Sequence, residues 1–128
     1  TFAPLNDAQL QSGRLHEEHY EIDEAAASKI SVSPHITAVG TTSVRTLESV
    51  WRSGKLQPET TSTDILIQPG YQFKRVNSLI TNFHLPGTSL LLLVAAFLES
   101  EDELMTIYSH AIKQKYRFYS FGDAMLIL

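Results

Sequence analysis

The sequence predicts a mixed α/β domain, and three observations support that prediction. Short apolar segments bounded by glycine or proline alternate along the chain with segments of helical periodicity. A strand, a tight turn and a helix follow one another from Ile36 to Trp51, which is the first half of a βαβ unit. A chain of 128 residues with 43% hydrophobic side chains is also long enough to bury one core.

The elements of the first half follow from local signals. Asp23, a favoured N-cap residue, predicts a short helix over EAAASKISV that ends before Pro34. Ile36–Val39 is expected to be a buried strand that ends at Gly40, and hydroxyl residues at the start of TTSVRTLESVW are expected to cap the next helix. The polar segment RSGKLQPETTST, with its glycine and proline, predicts a loop.

Strand-like segments come next. Asp64–Ile67 and Phe73–Val76 are predicted strands, and Pro69 followed by Gly70 is typical of a type II turn between them. The segment SLITNF predicts a third short strand.

Helices dominate the remainder of the chain. Leu90–Leu98 is a run of nine apolar residues, and it predicts a core helix that begins at Thr88 or Ser89 and is buried nearly all round. A last helix is predicted from Glu101 to about Tyr116, because apolar residues recur there every three or four positions. The closing segment FYSFGDAMLIL predicts a strand with a Gly-Asp interruption.

Charge, hydropathy and cysteine content exclude several classes of protein. The net charge is -4, so the chain lacks the overall basic character of a module that binds nucleic acid through its backbone. Any such contact is expected to be local, at the cations Lys74, Arg75, Lys113, Lys115 and Arg117. Nine apolar residues are fewer than the ~20 that span a bilayer. Without cysteine there is neither a disulfide framework nor a thiolate metal site, and a cytoplasmic protein is expected.

The first candidate cluster for chemistry is HEEHYE. On a strand, His16 and Glu18 would point to one face, and such a pair can perform general acid–base catalysis. The spacing of His16 and His19 differs by one residue from the zinc motif H-E-x-x-H. The structural alternative is an exposed edge strand whose charges oppose aggregation.

The second candidate is GTTSVR, where the predicted strand meets the predicted helix. A helix N-terminus presents unpaired N–H groups, and here hydroxyls and a cation lie beside it, so the junction suits a phosphate or a carboxylate. The candidate binding residues are Gly40, Thr41, Thr42, Ser43 and Arg45. Simple helix capping is the alternative, and no G-x-G-x-x-G or Walker pattern supports a dinucleotide or nucleoside triphosphate fold.

Two further candidates lie in the second half. Asn82, Phe83 and His84 precede a Pro-Gly turn, so an amide, an imidazole that titrates near neutrality and unpaired backbone groups meet there. A structural histidine is the alternative. In YRFYSFGDA, Arg117 and Asp123 lie among apolar and aromatic neighbours, either as an ion pair or as a site carboxylate held by its surroundings.

Four longer segments resemble one family in order and spacing. They are VGTTSVRTLES, TDILIQPGYQF, LITNFHLPGTSLLLLVAAF and YRFYSFGDAMLI, and they are similar to the C-terminal part of the S-adenosylmethionine:tRNA ribosyltransferase-isomerases of queuosine biosynthesis. TFAPL and LHEEHYEI resemble the segment just before that part. Asn77 stands where many members of the family have aspartate.

The resemblance implies an enzyme that transfers the ribosyl part of S-adenosylmethionine to 7-aminomethyl-7-deazaguanine at the wobble position of a tRNA. The ribose is isomerised to an epoxycyclopentane, which gives epoxyqueuosine, while adenine and methionine leave. S-adenosylmethionine is then a consumed donor and the tRNA is the partner, and the resemblance implies no metal and no membrane. Members of the family are cytoplasmic monomers with an α/β core that carries an inserted β-barrel-like domain.

The resemblance also implies that residues 1–128 are the C-terminal part of the core domain, without its N-terminal part and the inserted domain. Such a piece is expected to be inactive alone and prone to self-association. The candidate catalytic residues for the implied reaction are His84, Asp123, Glu18 and His16. The candidate binding residues are Gly40, Thr41, Thr42, Ser43, Arg45, Asn82, Tyr71, Phe83 and Arg117, with the aromatic rings stacking on a base.

Two other hypotheses remain open at this point. The chain can be a stand-alone module that binds a nucleoside or S-adenosylmethionine without catalysis. It can also be a small metal-dependent hydrolase that uses His16, His19 and the nearby glutamates, in which case it would bind stoichiometric metal.

Overall fold

The computed structural model describes residues 5–52 and 54–128, and within them it contains five helices and five strands. The helices are α1 (Asp7–Ser12), α2 (Glu24–Val32), α3 (Thr41–Val50), α4 (Ser89–Leu98) and α5 (Glu101–Lys113). The strands are β1 (Arg14–Ile22), β2 (Thr37–Val39), β3 (Glu59–Ile65), β4 (Ser78–Asn82) and β5 (Ala124–Ile127). The first four residues of TFAPL and Ser53 of the predicted loop lie outside the described residues.

The strands form two sheets. The larger one has the order β2-β4-β5, with β2 parallel to β4 and β5 antiparallel to β4. The smaller one is the antiparallel pair of β1 and β3. The parallel neighbours β2 and β4, with α3 on the connection between them, confirm the mixed α/β prediction.

One cluster of buried apolar side chains joins the larger sheet to α3, α4 and α5. Leu79 of β4 and Val44 of α3 are completely buried, and so is Val94 of α4. Burying a side chain of this size stabilises the fold by about 1.5–3 kcal/mol. The segment Ser78–Asn82 is therefore the central strand of the core rather than a surface element.

Helix α4 confirms the prediction made from the run of nine apolar residues. It begins at Ser89, and the Thr88 side chain accepts a hydrogen bond from the N–H of Leu91 at 3.3 Å as its N-cap. Five of its ten residues are buried, and the other five are partly buried. Among residues 5–52 and 54–128, no helix combines the length and the apolar character needed to cross a membrane.

The termini of the other helices are set by local hydrogen bonds. In α1, which was not predicted, the Asn6 side chain accepts from the N–H of Gln9 at 2.9 Å and the Gln9 side chain accepts from the N–H of Asn6 at 3.1 Å. This reciprocal capping box is visible in the sequence as Asn-x-x-Gln. Asp23 caps α2 as expected, with its carboxylate 2.7 Å from the N–H of Ala26. Helix α5 ends at Lys113 rather than near Tyr116.

The predicted strand Phe73–Val76 is wrong, and Glu48 of α3 is the reason. The N–H groups of Lys74, Arg75 and Val76 donate to the Glu48 carboxylate at 2.8, 2.9 and 2.9 Å, so they are not available to a neighbouring strand. The Tyr71 hydroxyl donates to the same carboxylate at 3.2 Å, and burial raises the pKa of Tyr71, which keeps that donor protonated. Glu48 itself is 2% exposed.

Strand β3 also differs from the expectation. It spans Glu59–Ile65 rather than the predicted Asp64–Ile67, so five of the twelve residues of the predicted polar loop lie in a strand that pairs with β1. Threonine is favoured in strands, and in this segment that preference prevails over the loop signal of the preceding glycine and proline. The turn at Pro69-Gly70 is present, with φ of 93° at Gly70 and a 3.0 Å hydrogen bond from the N–H of Tyr71 to the carbonyl of Gln68.

Arg75 is buried and does not offer the solvent-exposed cation that the sequence suggested. One guanidinium nitrogen donates to the carbonyl of Ile30 and, at 2.5 Å, to the carbonyl of Ser33 at the end of α2. The guanidinium carbon lies 5.0 Å from the centroid of the Trp51 ring. This side chain therefore satisfies helix carbonyls inside the fold rather than binding an external anion.

We expect Glu48→Gln to lower the free energy of unfolding by about 2–4 kcal/mol, because an amide nitrogen would face N–H donors in a buried position. Urea unfolding followed by circular dichroism measures the change. Glu21→Gln is the matched control, since Glu21 is exposed on β1. Equal unfolding midpoints for the two variants would contradict the role assigned to Glu48.

Candidate active site

A strand-to-helix junction forms one side of the candidate site. β2 ends at Val39 and α3 begins at Thr41, with Gly40 between them at φ 88°. Glycine suits this position because residues with a β-carbon are strained at positive φ. No side chain caps this end of α3, which corrects the expectation that its hydroxyl residues do so; Ser43 donates its hydroxyl to the Val39 carbonyl at 2.9 Å instead. The N–H groups of the first turn are thus left without a side-chain partner.

A buried ion pair faces this junction. The Nη2 atom of Arg45 on α3 contacts the Oε1 atom of Glu18 on β1, and their side chains are 6% and 10% exposed. The Oε2 atom of Glu18 and the Nε atom of Arg45 are buried without a hydrogen-bond partner. The ion pair therefore links strand β1 to helix α3, and one polar atom of each side chain remains without a hydrogen bond.

Residues from β1, β2, α3, β4, the turn after β4 and α4 line a partly open cavity of about 190 Å³ in which most of the lining residues are polar. We call it the polar cavity; it is lined by Glu18, Val39, Gly40, Thr41, Thr42, Ser43, Arg45, Thr81, Asn82, His84 and Leu90. Eight of these side chains or backbone positions were candidates from the sequence, namely Glu18, Gly40, Thr41, Thr42, Ser43, Arg45, Asn82 and His84. The structure thus brings together candidates that are far apart along the chain.

His84 is held in the wall of the polar cavity by two hydrogen bonds. Its Nε2 atom lies 2.8 Å from the Thr81 hydroxyl, and its backbone N–H donates to the Tyr108 hydroxyl at 3.1 Å. Burial lowers the pKa of His84 to about 4, so the imidazole is neutral near pH 7. Its Nδ1 atom has no hydrogen-bond partner among the described residues. The ring thus has one fixed nitrogen and one available nitrogen.

A second cavity, of about 270 Å³, lies on the other side of His84. We call it the apolar cavity; it is lined by His84, Leu85, Pro86, Gly87, Thr88, Leu90 and Tyr119. His84 and Leu90 line both cavities and form the wall between them. The Pro-Gly turn and the start of α4 therefore shape a site with two compartments.

Asn82 connects the polar cavity to the C-terminal strand. It is the last residue of β4, opposite Ala124 of β5, and its amide nitrogen donates to the backbone carbonyl of Asp123 at 3.3 Å. Its side-chain oxygen makes no hydrogen bond to another described residue. Asn82 therefore retains an acceptor for a ligand while the amide nitrogen is engaged.

Asp123 and Arg117 lie outside the polar cavity and bind each other. The Nη2 atom of Arg117 is 2.9 Å from Oδ1 of Asp123, and both Nε and the backbone N–H of Arg117 donate to Oδ2. These hydrogen bonds lower the pKa of Asp123 to about 2. A carboxylate so weakly basic is a poor proton acceptor near pH 7, and this arrangement favours a structural role for the pair.

His16 also lies outside the polar cavity, although Glu18 lines it. The pairing of β1 with β3 shifts register between Arg14 and Glu18, so the regular alternation that places Glu18 and Tyr20 inward does not extend to His16, which is exposed. The structure therefore does not place His16 beside Glu18 in the polar cavity. Among the described residues, no group of three or more histidine, aspartate and glutamate side chains is arranged to hold a metal ion.

Of the two aromatic residues predicted to stack on a base, Phe83 packs inside the protein and Tyr71 is partly buried; neither lines the polar cavity. Phe83 is 4% exposed, and its ring centroid lies 5.5–5.7 Å from those of Tyr108, Tyr116 and Phe118. Tyr71 packs edge-on against Phe73 at 5.1 Å and donates to Glu48. Aromatic spacing alone did not separate these core rings from Tyr119, which lines the apolar cavity.

Sequence reasoning also missed residues that hold the site. Thr81 lies in the predicted strand SLITNF and was not a candidate, yet its hydroxyl contacts the His84 imidazole. Tyr108 lies in the last predicted helix and was not a candidate either, yet its hydroxyl accepts from the His84 backbone N–H. The three-residue spacing of Thr81 and His84 could have suggested a local contact at the end of a strand. The contact with Tyr108 spans 24 positions, and no local pattern reveals it.

Comparisons with known proteins match this sequence and this fold to one family. The family model described as "Queuosine biosynthesis protein" matches residues 1–127. The chain is 49% identical over 128 residues to the S-adenosylmethionine:tRNA ribosyltransferase-isomerase of Solibacter usitatus and 45% identical over 132 residues to that of Anaeromyxobacter dehalogenans. It is covered completely in both alignments but spans only 35% and 38% of the length of these relatives.

A solved structure agrees with the sequence relatives. The crystal structure of S-adenosylmethionine tRNA ribosyltransferase from Thermotoga maritima superposes with a TM-score of 0.78 at 47% sequence identity. The match covers 88% of this chain and 41% of that one. The mixed α/β arrangement is therefore that of a segment of a larger protein in the matched structure.

We expect acidification from pH 7 to pH 5 to lower the free energy of unfolding by about 1–2 kcal/mol through His84. The pKa of His84 is about 4 in the folded chain, below the ordinary 6.5, so between these values the unfolded chain binds more protons. The stabilisation is complete above pH 6.5 and is lost as the pH falls toward 4. Urea unfolding at both pH values measures the difference. If His84→Gln left that difference unchanged, another group would have to be responsible.

Proposed function

Because the chain belongs to the queuosine biosynthesis protein family, whose model it matches over residues 1–127, we propose that it forms part of a tRNA-modifying transferase. The proposed reaction transfers the ribosyl group of S-adenosylmethionine to 7-aminomethyl-7-deazaguanine at the wobble position of a tRNA. The group is isomerised during transfer, which gives epoxyqueuosine, and adenine and methionine are released. S-adenosylmethionine is a substrate of this reaction, and the modified tRNA is its product.

The observation that carries the proposal is the convergence of eight candidate residues on one cavity. A helix N-terminus, a buried ion pair, an amide oxygen and a neutral imidazole all line the polar cavity. A transfer that expels adenine and rearranges a sugar needs groups that bind a polar donor and a group that exchanges a proton beside it. The polar cavity contains both kinds of group among its lining residues.

His84 is the proposed proton-transfer group. It is neutral near pH 7, so it can accept a proton, although its pKa of about 4 makes it a weaker base than an ordinary imidazole; the contact with Thr81 engages only Nε2. The Thr81 hydroxyl can donate to Nε2 or accept from it, and the proposed tautomer is the one in which Nε2 carries the hydrogen and Nδ1 is the acceptor. Thr81 is in this proposal a positioning residue, because it acts through the imidazole.

The junction after β2 and the side chain of Asn82 are proposed to bind the substrates. The uncapped first turn of α3 offers backbone N–H groups, and the Asn82 side-chain oxygen offers an acceptor for a hydroxyl or an exocyclic amine. In this proposal Asp123, Arg117 and His16 do not touch the reacting atoms, because they lie outside the polar cavity. The aromatic candidates Tyr71 and Phe83 are likewise assigned to packing.

The chain covers 35–38% of the length of its relatives, so the proposed activity belongs to the complete protein. The alternative function is binding of S-adenosylmethionine or a nucleoside without catalysis, and the same cavity would serve it. Radiolabelled ribosyl transfer to tRNA by the complete protein separates the two. Donor binding without transfer would favour the binding module.

We expect His84→Ala in the complete protein to reduce ribosyl transfer by ~100-fold or more, the scale of a lost acid–base group. Single-turnover transfer from S-adenosylmethionine to tRNA is the measurement. His110→Ala is the matched control, because His110 is exposed on α5 and lines neither the polar nor the apolar cavity. Full transfer by a folded His84→Ala protein would rule out the proposed role.

A further inference from the structure

The ion pair of Glu18 and Arg45 is buried but incompletely bonded. A buried ion pair is stable only when further hydrogen bonds satisfy its remaining lone pairs and protons. Here only one nitrogen and one oxygen are in contact, while Oε2 of Glu18 and Nε of Arg45 have no partner. Both side chains are at least nine-tenths buried, and both line the polar cavity. The pair therefore lacks one hydrogen-bond donor for its carboxylate and one acceptor for its guanidinium.

The charges of the polar cavity cancel. Arg45 is positive and Glu18 is negative, and His84 is neutral near pH 7 because burial lowers its pKa. The other lining residues carry no charge. An anion bound at Arg45 and the first turn of α3 would also lie near the Glu18 carboxylate, which disfavours a ligand that is only negative. A ligand with both a negative and a positive group avoids this repulsion, because its positive group can lie next to the Glu18 carboxylate.

We propose that the polar cavity binds the zwitterionic amino-acid end of the sulfonium donor and does not bind an RNA phosphate. In this arrangement the ligand carboxylate is bound by Arg45 and the N–H groups at the start of α3, and the ligand ammonium is bound by Glu18. The two charged groups add an acceptor and a donor beside an ion pair whose own Oε2 and Nε atoms are buried without partners. This assignment rests on the proposed function and makes Glu18 a binding residue rather than an acid or base.

The sizes of the two cavities agree with this assignment. The polar cavity, at about 190 Å³, is smaller than the 300 Å³ or more that is typical of a site for a complete cofactor-sized molecule. It accommodates one end of the donor. The apolar cavity of about 270 Å³ begins on the other side of His84 and is lined by Tyr119 and by the Pro-Gly turn. The nucleoside end of the donor fits there, which places the bonds between the two ends beside the imidazole.

Calorimetric titration of the complete protein tests the assignment with two ligands. S-adenosylmethionine carries the amino-acid end, and 5′-methylthioadenosine has the same nucleoside without it. We expect Glu18→Gln to raise the Kd of S-adenosylmethionine by ~10-fold or more, as the loss of one charged hydrogen bond does, and to leave the Kd of 5′-methylthioadenosine within about twofold. Glu21→Gln, on the exposed side of the same strand, is expected to change neither value.

A measurement on the unmodified protein covers the case in which Glu18→Gln fails to fold. Decarboxylated S-adenosylmethionine keeps the ammonium and lacks the carboxylate, and we expect it to bind ~10-fold or more weakly than S-adenosylmethionine. Inorganic phosphate is expected not to compete with S-adenosylmethionine at millimolar concentration.

Several results would overturn the assignment. Equal weakening of both ligands by Glu18→Gln would place the nucleoside at Glu18, and unchanged binding of S-adenosylmethionine would remove Glu18 from the donor site. Competition by phosphate, or equal binding of the decarboxylated donor, would also contradict it. In each of these cases the donor still binds, so the proposed function survives. If neither S-adenosylmethionine nor 5′-methylthioadenosine bound the unmodified protein, the donor class itself would be wrong.

Discussion

The carboxylate of Glu48 joins helix α3 to the chain that leads into β4. It accepts hydrogen bonds from three consecutive backbone N–H groups and one tyrosine hydroxyl in a position that is almost completely buried. Because β2 and β4 are parallel, their carboxyl ends lie at the same edge of the sheet, and α3 begins at that edge. The hydrogen bonds of Glu48 therefore hold α3 against the segment that leads into β4, and α3 and β4 both line the polar cavity.

The elements that pack behind the candidate site are mostly apolar. They hold a small number of polar groups in fixed positions. Helix α4 packs its leucines, valine and alanines into the core immediately after the turn that carries His84. His84 is 7% exposed, with its imidazole against the Thr81 hydroxyl and its backbone N–H on Tyr108, and this burial is also why the imidazole is neutral near pH 7. A rigid apolar base and a small number of oriented polar groups are what a binding site requires.

Local patterns predicted much of this structure, and non-local contacts account for most of what they missed. The helix at Ser89–Leu98 and the junction at Gly40 follow from apolar runs and from glycine, which act within a few residues. The strand predicted at Phe73–Val76 is absent because Glu48, 26 positions before Lys74, takes its N–H groups. The exposure of His16 depends on a register shift against β3, and the burial of Arg75 depends on the end of α2. The contact between Glu18 and Arg45 could likewise not be predicted from local sequence patterns, because the two residues lie on different elements that meet only in the folded chain.

The wall that His84 and Leu90 form between the two cavities has a consequence for inhibitor chemistry. A small molecule confined to one compartment contacts either the polar groups or the apolar ring and turn. A molecule long enough to occupy both must cross the wall, and its linking atoms then lie against a neutral imidazole and a leucine side chain. An uncharged linker is compatible with that crossing, whereas a charged one would lose its hydration there. Because His84 lines both cavities, an inhibitor that occupies both of them should have an uncharged linker between its two ends.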